Sequence, residues 1–333
     1  MAAFFRRMNR YLGLSAPGIR SALLLCLCLC FCQCAGMRKP DKDASKDANS
    51  VSGYGFPFPE IPRKIQKPEE RLAYLALHYW ENFDFGDTAF LLKAEIAEQG
   101  FADFAALLPS CPPPVKAEAL ANFCQKAGKK LVSARYFHTL TEKYWYDPNS
   151  PFRDEANFRT FLQHFLQNPI VPEVEKFRPR HLEALLGRNC PGDTATDFRF
   201  HFSARKTARL HEIQAEYLIL YFNNPGCQTC ATSRAELLCA PTINTLIQQE
   251  RLKILSVYPD GIPDSGILPT QEIPGWMEVY DANRNVLEKD LYDLKAIPTL
   301  YLLDKDKKVL LKDVPVRQIE GYLESDTSST SDS

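Results

Sequence analysis

The apolar positions repeat at helical spacing through the first half of the chain. Leu72, Leu75, Tyr79 and Phe83 open this region, and Pro68 with two glutamates before them suits a helix N-terminus. Further helical runs cover about 87–107, 115–127, 130–145, 153–167 and 173–187, with prolines between them. The pattern predicts an all-α domain over residues 63–188, whose short connections favour antiparallel neighbours.

The pattern changes near residue 189, where strand-like segments begin. Phe198, Phe200 and Phe202 alternate with polar residues, as in a half-buried strand. The apolar runs 215–222 and 252–258 are typical of buried strands, and segments 276–281, 297–304 and 308–313 complete the predicted strands. Helices are predicted at 231–238, 242–250 and 315–323. We therefore expect an α/β domain over residues 189–323, a central mixed sheet flanked by helices, with a disordered tail at 324–333.

The N-terminal residues have the pattern of an export signal. Residues 1–20 are basic, and residues 22–34 are apolar but shorter than the ~20 residues that span a bilayer. A signal peptide is predicted over 1–36, cleaved either after Gly36 or before Cys34; an uncleaved anchor is the alternative. The segment resembles a bacterial lipoprotein signal, although Phe31, Cys32 and Gln33 stand where that family prefers small residues. We predict lipid attachment at Cys34, followed by a flexible tether over residues 37–62.

These features predict a protein of the cell envelope that is lipid-anchored to a membrane and faces the periplasm or the exterior. The 333 residues are 45% hydrophobic and 24% charged, which allows a sizeable core. Removing the four arginines of the first 34 residues from a net charge of -1 leaves a mildly acidic body, about -5. Such a body is not expected to bind nucleic acid, and the sequence has no Gly-rich phosphate loop. No cofactor is expected.

Two of the eleven cysteines have a spacing that carries chemistry. Cys227 and Cys230 follow a predicted central strand and open a predicted helix. At a helix N-terminus, backbone N–H groups stabilise a thiolate, so we assign Cys227 as the attacking thiol and Cys230 as the resolving thiol. The spacing also fits half a zinc site, but no further paired Cys or His spacing supports a metal. Cys239 is expected to be a buried apolar residue.

The order of elements around these cysteines resembles the thioredoxin fold. The blocks NCPGDTATDF (189–198) and LYDLKAIPTLYLLDKDKKVLLKD (291–313) are similar to those of thioredoxin-like domains of Gram-negative envelope lipoproteins. The region before them is similar to the uncharacterised helical domain that precedes such modules. The resemblance implies that Pro298 has a cis peptide bond facing the cysteines and that Ile297 and Pro298 bind substrate. A trans proline that opens a strand is the alternative.

The sequence departs from this family close to the cysteines. Gly226 stands where thioredoxin has tryptophan, and Gln228-Thr229 replaces Gly-Pro. Tyr221 and Ser233 occupy positions where relatives carry acids, which leaves Glu236 as a partial substitute proton acceptor. The sequence predicts a thiol–disulfide oxidoreductase that exchanges disulfides with extracytoplasmic proteins. A non-catalytic binding protein with a structural disulfide is the alternative.

Overall fold

The computed structural model describes residues 55–262 and 273–331. The chain divides into two compact units, Met1–Val171 and Pro172–Ser333. The predicted signal peptide, Cys34 and residues 37–54 of the predicted tether lie outside the described residues. In the described ranges, no helix combines the length and the apolar character needed to cross a membrane.

The first unit is helical in its described part, as the sequence predicts. Prolines at the first turn start two of its helices, because proline has no N–H to leave unpaired there. The predicted helix at 87–107 is instead two helices, separated by turns at residues 92–96. The helices are α1 (Pro68–His78), α2 (Thr88–Leu91), α3 (Ala97–Leu107), α4 (Pro113–Ala127), α5 (Leu131–Thr141), which continues as a π-helical turn at Glu142–Tyr146, and α6 (Glu155–Gln167).

Aromatic side chains fill the core of the helical unit. The ring of Trp145 is fully buried, with its centroid 4.9 Å from that of Phe101. Trp80 packs 5.2 Å from Phe123 in the same core. Both tryptophans therefore belong to the core of the helical unit. Edge-to-face and tilted ring contacts of this kind stabilise a core beyond the area they bury.

The predicted tether ends earlier than expected. Phe56, inside the predicted 37–62 tether, is buried, and its ring centroid lies 4.9 Å from that of Tyr79. It reaches this position because Gly100 in α3 has no side chain: an ideal Cβ there would lie 2.1 Å from a Phe56 ring carbon. The prediction of a flexible tether is therefore wrong for this stretch, because its aromatic residues gain more from burial than from exposure.

The second unit is built on one seven-stranded mixed sheet, which confirms the predicted fold class. The strand order is β2-β1-β5-β4-β3-β6-β7, with β3 parallel to β4 and antiparallel to β6. Strand β2 was not predicted. The strands are β1 (Arg199–Ser203), β2 (Lys206–Arg209), β3 (Tyr217–Phe222), β4 (Leu252–Tyr258), β5 (Trp276–Tyr280), β6 (Thr299–Asp304) and β7 (Val309–Lys312).

Helices flank this sheet, and the central strand is covered on both faces. All six residues of β3 are buried, because alternate side chains enter two separate apolar clusters. Leu220 belongs to one cluster and Tyr221 to the other. This double burial explains why the strand is a continuous apolar run rather than an alternating one. The helices of the unit are α7 (Phe177–Leu186), α8 (Gln228–Cys239), α9 (Pro241–Gln248), α10 (Asn285–Glu288) and α11 (Val316–Ser331).

Both ends of the second unit differ from the predicted boundaries. Helix α7, predicted within the 63–188 helical domain, belongs to the compact unit that contains the sheet. Lys312 of β7 donates to the carbonyl of Leu186 at 2.9 Å, which fastens the end of α7 to a strand. Helix α11 extends through Ser331, so most of the predicted 324–333 tail is helical. The hydroxyl of Tyr217 donates to Asp326 and ties this extension to β3.

Candidate active site

The structure joins Cys227 and Cys230 in a disulfide at the start of α8. Their Cα atoms are 5.2 Å apart. Cys227 is the N-cap residue of the helix, and its Sγ accepts the backbone N–H of Cys230 at 3.1 Å. The predicted position of the pair, between β3 and a helix start, is confirmed. In the reduced protein the same N–H and the positive end of the helix would stabilise a thiolate on Cys227.

The glycine before the pair has a conformational role. Gly226 has a φ of 77°, in the left-handed region that residues with a side chain rarely adopt. The chain turns there between the end of β3 and Cys227. A tryptophan at this position, as in thioredoxin, would meet that backbone strain. The departure from the family pattern at Gly226 thus matches the local backbone.

Ile297 lies against Cys227, and its peptide bond to Pro298 is cis. The resemblance-based expectation of a cis peptide is confirmed. The Ile297 carbonyl oxygen is 3.8 Å from Cys227 Sγ, although the two residues are seventy positions apart. Thr229 bridges the two segments: its hydroxyl lies 3.2 Å from Cys227 Sγ and 3.4 Å from the Ile297 oxygen. The substrate-binding role of Ile297 and Pro298 stays a prediction.

The two sulfur-bearing residues differ in exposure. Cys230 is 3% exposed, whereas Cys227 is half-buried at the protein surface. Tyr221, which occupies the position of the family's buried acid, donates its hydroxyl to the Cys230 carbonyl at 2.7 Å. Burial raises the pKa of Tyr221, so its hydroxyl stays a donor rather than a proton acceptor. This asymmetry agrees with Cys227 as the thiol that meets a substrate.

A hollow of about 240 Å³ opens beside the disulfide. Arg234 and Tyr258 line it together with both cysteines. Arg234 forms an ion pair with Glu278 of β5. Neither residue was predicted from the sequence to lie at the site. The spacing of Arg234, four residues after Cys230, could have placed it on the same helix face. Glu278 carries no such local signal, because its position depends on which strand lies next to β4.

Glu236, the substitute proton acceptor expected from the sequence, is not among the residues that line the hollow beside the disulfide. Glu236 is exposed on α8. Cys239 is also exposed, so the prediction that it is buried is wrong: it lies at the end of the helix, beyond the face that packs on the sheet.

The remaining thiols of the described chain are free and lie elsewhere. Cys111 and Cys124 are buried in the helical unit, and Cys190 is half-buried in the second unit. Burial raises the pKa of Cys111 to about 11 and raises that of Cys124 further. Across residues 55–262 and 273–331, no three His, Cys, Asp or Glu side chains are grouped so that they could hold a metal ion.

Comparisons with known proteins agree with both units. A family model described as a domain of unknown function, DUF5106, matches residues 32–189. The crystal structure of a thioredoxin-like protein from Bacteroides caccae is 37% identical and has a TM-score of 0.74. The match covers 81% of this chain and 98% of that one. The chain belongs to the thioredoxin-like proteins. The DUF5106 match covers its N-terminal helical region.

Two further structures match less than half of this chain. The C-terminal domain of an uncharacterized protein from Bacteroides fragilis is 39% identical, with a TM-score of 0.37, over 41% of this chain and 98% of that chain. The thioredoxin domain of a thiol-disulfide oxidoreductase from Bacteroides vulgatus is 16% identical, with a TM-score of 0.32, over 41% of this chain and 96% of that chain. No curated protein matches this chain.

Proposed function

We propose that this thioredoxin-like protein is a thiol–disulfide oxidoreductase that exchanges disulfides with proteins outside the cytoplasm. The observation that supports this most is the position of Cys227. Its sulfur caps a helix, accepts the N–H of Cys230 at 3.1 Å, and lies at the surface beside Ile297. Such a sulfur is both accessible and stabilised as a thiolate, which are the two requirements for thiol–disulfide exchange.

The exchange follows from the geometry of the pair. A substrate thiolate attacks Cys227 Sγ, the Cys227–Cys230 bond breaks, and Cys230 leaves as a thiolate that takes up a proton. A mixed disulfide now joins the substrate to Cys227. A second substrate thiolate then attacks the substrate sulfur of that mixed disulfide, forms the substrate disulfide and releases Cys227 as a thiolate. Two electrons have passed from the substrate to the pair; the reverse sequence reduces a substrate.

The segment Ile297-Pro298 would receive the substrate chain. It borders Cys227 Sγ at 3.8 Å, so a peptide whose sulfur bonds to Cys227 must pass over it. Main-chain contacts there would recognise an extended segment rather than a particular side chain. This arrangement supports protein thiols and disulfides, rather than one small molecule, as the substrates.

A trapping experiment tests the activity. In the full chain, Cys230→Ser should accumulate mixed disulfides with envelope proteins, because the resolving thiol is gone. Cys227→Ser should trap none, and Cys190→Ser, which removes a half-buried thiol of the same unit, should behave as the natural chain. If Cys230→Ser captures nothing, and the natural chain reduces insulin no faster than Cys227→Ser, the binding-protein reading with a structural disulfide replaces the proposal.

We further propose that the mature chain is anchored to a membrane of the cell envelope by lipid on Cys34. The basic residues before the apolar run 22–34, and the cysteine that ends it, support this. Mass spectrometry of the mature N-terminus should find a lipid-modified Cys34. A chain that starts at Met37, or that keeps residues 1–34, would contradict the anchor without affecting the proposed exchange.

A further inference from the structure

An ion pair stands next to the disulfide, and the exchange chemistry described above does not use it. Arg234 of α8 lies four residues after Cys230, one helical turn along the same face. Its Nη1 is 2.5 Å from Oε1 of Glu278 in β5. The two side chains are 24% and 9% exposed, so the pair is largely withdrawn from water. Interactions of such a pair are screened much less than those of a surface pair.

Neighbouring residues fix both members of the pair. The guanidinium of Arg234 lies over the ring of Trp276, 4.7 Å from its centroid, in the geometry of a cation–π contact. The other oxygen of Glu278 accepts the hydroxyl of Tyr258 at 3.3 Å. Arg234 and Tyr258 also line the hollow that borders both cysteines. The positive charge is therefore held in place at the hollow that the two cysteines also line.

Among the described residues that line this hollow, Arg234 carries the one fixed charge. The pKa values of Tyr221 and Tyr258 are raised by burial, so both remain neutral at physiological pH. Two charged groups in neighbouring described segments have partners of their own. Lys295, two residues before Ile297, pairs with Asp293 at 3.0 Å and with Asp313 at 3.1 Å. Asp260 accepts a hydrogen bond from Asn224 at 2.5 Å and lies 3.7 Å from Arg284.

We propose that the Arg234–Glu278 pair sets the redox potential of the Cys227–Cys230 dithiol, with Arg234 stabilising the reduced thiolate form and Glu278 offsetting that effect. A nearby cation favours a thiolate, and whatever stabilises the reduced form makes a dithiol more oxidising. A carboxylate acts in the opposite sense. The two residues do not react themselves; they set the electrostatic environment of the sulfur atoms. The inference rests on the proposed function only in requiring that the pair can be reduced reversibly.

The two partners of the pair should have opposite effects when they are replaced one at a time. Removing Arg234 leaves the Glu278 carboxylate uncompensated, destabilises the thiolate and favours the disulfide. Removing the Glu278 charge leaves Arg234 uncompensated and favours the reduced form. If the pair only held α8 against the sheet, both replacements would break the same contact and would shift the equilibrium in the same direction. The sign therefore separates electrostatic tuning from structural support.

The experiment equilibrates the full chain with glutathione buffers and measures the oxidised fraction of the pair by alkylation and mass spectrometry. At pH 8, Arg234→Met should raise the equilibrium constant for disulfide formation about tenfold, which corresponds to ~30 mV for a two-electron couple. Glu278→Gln should lower the constant by about the same factor. Arg234→Lys keeps the charge and should stay close to the natural chain. Arg251→Met is the matched control. Arg251 forms a 2.7 Å ion pair with Glu216 and does not line the hollow, so its replacement should leave the constant unchanged.

The effect should also depend on pH. When both thiols are protonated, no thiolate remains for Arg234 to stabilise, so the constants of the variants should converge as the pH falls below the thiol pKa. Shifts of the same sign in both variants, shifts that persist unchanged at low pH, or no shift at all would overturn the inference. If Arg234→Met does not fold, Arg234→Gln removes the same charge, and its shift compared with that of Glu278→Gln gives the sign. If Arg234→Met and Glu278→Gln shift the constant in opposite directions but Cys230→Ser traps no partner, this inference holds and the proposed function is wrong.

Discussion

Two helices of this protein begin in the same way but use different atoms. In the helical unit, Oδ1 of Asp154 accepts the backbone N–H of Asn157 at 3.0 Å at the start of α6. In the thioredoxin-like domain, Sγ of Cys227 accepts the backbone N–H of Cys230 at 3.1 Å at the start of α8. Each acceptor is the N-cap, and each satisfies an N–H three residues further on.

The difference lies in what the acceptor does besides capping. Asp154 also forms an ion pair with Lys116 at 2.8 Å. Its negative charge is therefore neutralised within the helical unit and contributes to stability. Among the residues that the structure describes, none forms an ion pair with the sulfur of Cys227, which faces a hollow and the Ile297 segment. Backbone donors that stabilise a carboxylate in one unit would stabilise a thiolate in the other. Under the proposed function, the same local structure is a cap in one case and would activate a nucleophile in the other.

The largest expected effect comes from truncating a buried side chain of the strand that leads to Cys227. Leu220 lies fully buried in β3, which leads directly to Cys227. Leu220→Ala should lower the free energy of unfolding of the thioredoxin-like domain by ~2–5 kcal/mol, because a cavity replaces buried contacts. Leu238→Ala in α8 is the control, since Leu238 is 42% exposed and should change stability little. Thermal or denaturant unfolding measures the stability of both variants. If Leu220→Ala left the free energy of unfolding unchanged, the placement of Leu220 in a buried central strand would be wrong.

A smaller effect tests whether the helical unit is as closely packed as the sheet. Gly100→Ala would drive a methyl group into the Phe56 ring, so we expect a loss of ~1–3 kcal/mol. Gly321→Ala provides the matched control, because Gly321 also lies within a helix but has no atom near its missing Cβ. There alanine should stabilise by ~0.5–1 kcal/mol through helix propensity. Denaturant unfolding that gave both substitutions the same sign would show that Phe56 does not pack as described.

The smallest effect compares the two caps directly. Asp154→Ala should cost ~0.5–2 kcal/mol of stability, because the N–H of Asn157 loses its acceptor. Asp154→Ser keeps an acceptor at the cap and should lose less. Cys227→Ser likewise keeps a capping oxygen, so the reduced chain should unfold at nearly the same denaturant concentration while disulfide exchange is lost. If Cys227→Ser destabilised the reduced chain more than Asp154→Ala, the sulfur would be chiefly structural.

Much of the site could be predicted because its signals are local. A buried strand, two cysteines and a helix follow one another between residues 215 and 239, so Cys227 falls at a helix start from sequence alone. Ile297 and Pro298 required the family resemblance, because contact across seventy positions has no local signal. Glu278 was missed for the same reason: it comes within reach of the α8 residue Arg234 because β5 pairs with β4.

The errors in the fold prediction have similar causes. The polar and proline-rich composition of the 37–62 segment predicts a tether. Phe56 is nevertheless buried, because Gly100 of α3 has no side chain to occupy the space that the Phe56 ring fills. The 324–333 segment reads as disordered from its Ser, Thr and Asp content. There the contact of Tyr217 with Asp326 joins the C-terminal helix to the sheet. Tertiary contacts override local composition in both places.

The central claim is that the helix start, and not the presence of a thiol, makes Cys227 reactive. Site-resolved alkylation of the reduced full chain, followed by mass spectrometry over a range of pH, tests it most directly. We expect Cys227 to react fastest at pH 7, with a midpoint below the ordinary ~8.5 of a free thiol. The exposed Cys239 should react more slowly, and Cys111, whose pKa burial raises to about 11, should stay unmodified with Cys124. A Cys227 that reacts no faster than Cys239 would contradict the account.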